Sequence, residues 1–125
     1  MTRTDRLALA HLRTGLAHPD DRALEATVLA LIRFMVDRPG AIVELRDAAA
    51  PVVALVARWD ERGLERPLEH ALHLLELLVA SGARLDPAHG DRLALLAANG
   101  RSGRNAATFA QRILTLASTP LRLAG

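Results

Sequence analysis

One stretch of the chain gathers residues suited to metal or acid–base chemistry at helical spacing: Glu69-His70-x-x-His73-x-x-Glu76. Positions three, four and seven apart share a helix face, so these imidazoles and carboxylates project from one side, as zinc or iron ligands do. A closed site needs further ligands from another element, and the other dense group, Asp86, His89 and Asp91, falls in a turn. Solvated histidines and carboxylates account for both groups, so no metal and no cofactor is expected. A nucleophile elbow, a Walker-type phosphate loop and a dinucleotide fingerprint are all missing from the sequence, and the chain reads as a non-enzyme. Catalysis through Glu69 and His73 would require a bound metal.

A second candidate is Asn99-Gly100-Arg101-Ser102-Gly103-Arg104-Asn105, ahead of the last expected helix. Unpaired backbone donors, Ser102 or Asn105 as caps, and two guanidiniums converge there, which makes Arg101, Ser102, Gly103, Arg104 and Asn105 an anion-binding candidate. A turn with its arginines in water is the plain alternative. The charge distribution bears on both readings. Through Asp91 the chain holds 11 arginines against 14 acids, and beyond it five arginines and no acid. Such one-sidedness attracts phosphate or acidic surfaces, unless the arginines only solvate helix faces.

The elements that must position these residues are helices. Leucine and alanine dominate, the aromatics are Phe34, Phe109 and Trp59, and half of the 125 residues are hydrophobic, enough for one core in one domain. Proline and glycine punctuate the chain regularly and mark helix joints. The expected helices run from about Thr4 to Leu16, capped by Thr2 or Thr4, and from Pro19-Asp20-Asp21 to Val36. A short segment Ala41 to Arg46 and a helix Ala48 to Trp59 follow, with Pro51 in a first turn. Then come Pro67 to Ala80, apolar on a broad face, Pro87 to about Ala98, and Asn105 to Ala117, with a loose tail over 118–125. Without cysteine, a signal-like leader or a span-length apolar run, the expected compartment is the cytoplasm, with no membrane contact.

An apolar signature recurs along these helices: Val28-Leu31-Ile32-Met35, Ala71-Leu74-Leu75-Leu78 and Ala110-Ile113-Leu114-Ala117, offset by 43 and 39 positions. That spacing is in the range of helical repeats. The stretch Asp47-Ala48-Ala49-Ala50-Pro51-Val52-Val53-Ala54-Leu55-Val56 resembles the "Asp-Ala-Gly-Ala-Ile-Pro-Ala-Leu-Val" segment of armadillo repeats, and HEAT-type repeats are near neighbours. The resemblance runs from about Asp20 to Ala117 and is one of pattern, not identity; the third unit is only its long helix, and the second has no clear short helix. It implies an all-α fold, a short right-handed α-α superhelix of about two to three repeats, whose long helices line a concave groove for extended peptides. Aligning the signatures places Ala30, His73 and Arg112 where the family has tryptophan, and Phe34, Leu77 and Leu116 where it has asparagine. Neither ladder residue is present, so the groove, if formed, uses other chemistry, and the nuclear-import type of peptide binding is not implied.

The expected function is a non-catalytic protein–protein interaction module or adaptor, with Ala30, Phe34, Glu69, His73, Leu77 and Arg112 as binding residues for a protein or peptide partner. Phe34 and Leu77 are otherwise ordinary core residues. Fewer than three full repeats leave terminal faces to cover, so a homodimer through a terminal face is a corollary. The alternative is nucleic-acid binding, in which Arg92, Arg101, Arg104 and Arg112 hold the phosphate backbone.

Overall fold

The computed structural model describes residues 2–99 and 103–118, and among them there are helices and no strand. The order is α1 (Arg3–Gly15), α2 (Asp21–Asp37), a 3₁₀ segment (Pro39–Ala48), α3 (Ala49–Arg62), α4 (Glu65–Ala80), α5 (Pro87–Asn99) and α6 (Arg104–Ser118). None is long and apolar enough to cross a membrane among the described residues. Of the expected tail at 118–125, Ser118 belongs to the last turn of α6, and 119–125 lie outside the described residues.

Local sequence sets the boundaries. Thr2 caps α1 in a reciprocal capping box with Asp5, and Asp20 caps α2 through the Ala23 N–H at 3.0 Å. Arg38 leaves the helical region, with ψ of 77°, because Pro39 disfavours helical geometry in the residue before it. The 3₁₀ segment extends past both ends of the expected Ala41 to Arg46 and feeds straight into α3, where Pro51 sits in the first turn. Ala41, Leu45 and Ala48 are buried along it, so tertiary burial sustains a run longer than 3₁₀ geometry usually allows. α3 stops at Gly63, in the left-handed region at φ 69°, where the Leu64 N–H reaches Trp59 O at 3.0 Å.

Only Gly63 and Leu64 separate α3 from α4, so the two helices, which pack on each other, must run antiparallel. α4 is the hub. It packs on α2, α3, α6 and the 3₁₀ segment, while α1 packs on α2, and α5 on α3 and α6. Its Leu68, Ala71, Leu72, Leu74, Leu75 and Leu78 are essentially inaccessible, as expected for a helix covered on several sides. One hydrophobic cluster extends from Leu9 to Ile113. Asp21 fastens α2 to the end of α3: it accepts from the indole of buried Trp59 at 2.9 Å and pairs with Arg58 and Arg62. The Trp59 hydrogen bond, reinforced by the Arg62 bond and the Arg58 charge, holds the Asp21 carboxyl below the ordinary carboxylate range.

Candidate binding face

α2, α4 and α6 pack in succession, α2 on α4 and α4 on α6. Cross-helix pairs orient this row. Glu25 on α2 faces His70 on α4 at 3.9 Å, and Glu76 on α4 accepts from Arg112 on α6 at 2.9 Å. His73 lies 6.3 Å from the Phe109 ring, and the Arg112 guanidinium stands 5.4 Å over that same ring. The solvent side of the row therefore presents Arg33 and Val36 from α2, His73 and Ala80 from α4, and Arg112 and Leu116 from α6.

Within this face a groove of about 380 Å³ runs between α4 and α6, with Leu77, Ala80 and Leu116 as apolar lining and Glu76, Gln111 and Arg112 as polar rim. Glu76 is held tightly, its side chain only 15% exposed. One of its oxygens takes Arg112, and the other is buried with no hydrogen-bond partner. Its partner Arg112 is 59% exposed, so solvent still screens this ion pair from one side.

The sequence-predicted residues divide between two places. His73, Leu77 and Arg112 meet at the α4–α6 side of the face, while Glu69 is half-buried on α4. Ala30 and Phe34 share a stripe of α2 with Thr27, which lies against Gly15 of α1, and so belong to the α1–α2 junction. Phe34 is only 8% exposed and sits in the core with the Arg38 guanidinium 4.7 Å over its ring. It offers no side chain to a partner.

Leu29 and Val36, 42% and 65% exposed, escaped the sequence reading. They share the stripe of Glu25 and hence border α4. Forty-three positions later the corresponding Leu72 and Val79 are buried, on the stripe of Glu76 that meets α6. The contacts that seat α6 on α4 are thus left partly open between α2 and α4. Periodicity marks all four as apolar, and only the spacing between helices separates covered from uncovered.

The other sequence candidates change character in three dimensions. His70 turns to Glu25, His73 to Phe109 and Glu76 to Arg112, so the histidine–carboxylate cluster points to two different neighbours. No group of three or more potential metal ligands assembles among the described residues. Of the anion candidate, Arg101 and Ser102 lie outside the described residues. Arg104 and Asn105 are exposed at the start of α6, and Glu65 Oε1 stands 3.1 Å from where a Cβ on Gly103 would be. A carboxylate there opposes an anion at this turn.

What fold and surface define is an all-helical protein with a mixed apolar and charged face along its α2–α4–α6 row. The chain matches no protein-family model, no curated protein and no solved structure.

Proposed function

We propose that this chain is a non-catalytic protein–protein interaction module, a short armadillo- or HEAT-like α-solenoid of about two to three repeats that holds a protein or peptide segment across its α2–α4–α6 face. The observation that carries it is the clustering of apolar exposure on that face. Among the described residues, three of the five large exposed apolar side chains, Leu29, Val36 and Leu116, belong to the row, beside the groove formed by Leu77 and Ala80. Apolar spots rimmed by charge suit an amphipathic partner. The repeat reading draws on the offsets of 43 and 39 positions, which fall on α2, α4 and α6, the helices that pack in succession.

End-to-end dimerisation draws less support. Where α4 carries Val79, the outward edge of α6 carries exposed Ser118, with exposed Arg104 on the same edge. α1 ends the opposite side with exposed Arg3, Thr14 and His11, and Leu7 is its one exposed large apolar residue. Polar outer edges are what terminal repeats use to stay soluble. Nucleic-acid binding also weakens, because Arg112 is paired with Glu76.

The test is a displayed-peptide selection on the whole chain, with each enriched ligand measured again on Val36→Glu and Leu116→Glu. Both sites are exposed, so folding should change by less than about 0.5 kcal/mol. Ligands of the proposed face should lose tenfold or more in affinity, about 1.4 kcal/mol. Enriched ligands indifferent to both substitutions, or none enriched over the starting library, would overturn the proposal.

A further inference from the structure

On the other side of the molecule a furrow opens between α3 and α5. Its larger chamber has a volume of about 540 Å³, and a second of about 360 Å³ continues it, sharing Ala57, Glu61, Ala88 and Arg92. The furrow exists because the facing positions are small. Ala50, Ala54 and Ala57 on α3 and Ala88 on α5 leave unfilled the space that larger side chains would occupy.

The larger chamber holds a surplus of hydrogen-bond donors. His89 Nδ1 is buried without a partner, its nearest carboxylate, Asp86, being 3.9 Å away. Arg92 lines both chambers, and no ion pair or hydrogen bond within the described chain engages it. Arg58 adds positive charge from the α3 wall. It is anchored by Pro19 O at 2.6 Å and by Asp21 at 2.9 Å, yet its buried Nε makes no well-directed hydrogen bond. His89 and Arg58 both line this one chamber, but only the His89 Nδ1 is without any close partner, since Arg58 Nε is ion-paired with Asp21. α5 also begins here: the Gly90 N–H is the first to find a backbone carbonyl, that of Asp86 at 3.0 Å, which leaves the preceding amides open. Against these donors stands one lining carboxylate, Glu61.

We propose that this chamber binds an oxyanionic group, a phosphate or carboxylate carried by a small molecule, with Arg92 and His89 as donors and Arg58 as a fixed positive charge. Arginine presents a planar fork that matches either group, and the start of a helix favours negative charge. The position along the furrow is set by its polarity. Asp91 joins Glu61 in the smaller chamber and repels an anion there, so the oxyanion sits at the His89 end. The site is on different helices from the α2–α4–α6 face and stands or falls separately from it.

The experiment is an NMR titration of the whole chain, at constant ionic strength, with inorganic phosphate, pyrophosphate and citrate as separate probes. Saturable shifts confined to the Ala88, His89 and Gly90 amides and the Arg92 side chain are expected with at least one probe. Pyrophosphate alone would point to a phosphate source and citrate alone to a carboxylate source. Arg92→Gln should weaken binding about tenfold or more, as loss of a charge-assisted donor does. Glu61→Gln should tighten it severalfold by removing a like charge, and Arg66→Gln, on α4, should change nothing. No saturable shift with any probe up to about 20 mM, far above a millimolar dissociation constant, overturns the site. Equal shifts at unrelated arginines, or binding indifferent to Arg92→Gln, overturn it as well.

Discussion

Asp21 shows how much one side chain can decide here. Its sequence position at the start of α2 marks it as a first-turn acid, which favours the helix by opposing the dipole. Nothing in the sequence says that it also anchors the indole of Trp59 and two arginines of α3. Its carboxyl is held below its ordinary value, chiefly by the Trp59 hydrogen bond, so folding favours the ionised form. The stabilisation is complete above the unfolded carboxylate pKa and drains away as pH falls through the lower folded one. Acid should therefore erode stability below about pH 4, with Asp5, lowered mainly by its bond to the Thr2 backbone, acting in the same direction. Asp21→Asn should be less stable at neutral pH and show a flatter acid limb in urea denaturation from about pH 6 to pH 3. A variant with the wild-type acid slope would sink this account.

Among the elements, α4 and α1 are opposites. Truncating Leu75, fully buried on α4, to alanine should cost about 2–5 kcal/mol in chemical denaturation, since surrounding helices pin the cavity open. α1, by contrast, buries Leu9 and little else. Its remaining ties are exposed ion pairs of Arg6 with Glu44, Arg13 with Asp47 and Asp5 with Arg38. Salt screens such pairs, so added salt should speed amide exchange in α1 well before it affects α4, and equal protection of the two helices would refute the contrast. Gly63 limits the α3–α4 hairpin through backbone geometry alone, because a Cβ there would meet nothing within 4 Å. Gly63→Ala should cost about 1 kcal/mol by thermal or urea denaturation, the strain of a side chain at positive φ. Element positions were largely legible: Pro67 to Ala80 is expected and Glu65–Ala80 is observed. The 3₁₀ run was less so, because its length depends on burial of Ala41, Leu45 and Ala48 rather than on local preference.

At the scale of the whole molecule, charge and apolar surface are redistributed relative to the sequence. The basic last third is partly neutralised by an acid that the fold returns to it, Glu76 at Arg112. With polar outer edges on α1 and α6, light scattering should find a monomer at low and at high salt, free of copurifying nucleic acid. A salt-insensitive dimer would contradict the polar-edge argument. A complex with nucleic acid that salt displaces would return weight to the arginines.

The sequence alone determined that the chain is helical and where the helices start and stop, because capping residues, prolines and apolar periodicity act over a few residues at a time. It also marked His73, Leu77 and Arg112, which the fold brings to one side of the α2–α4–α6 face. Only tertiary structure decided that Phe34 is core while Val36 is surface, and that His70, His73 and Glu76 serve different neighbours. The same is true of the donor-lined furrow between α3 and α5. Periodicity tells which residues are apolar or charged, but burial and pairing depend on the distance between helices remote in the chain, and no local signal encodes that distance.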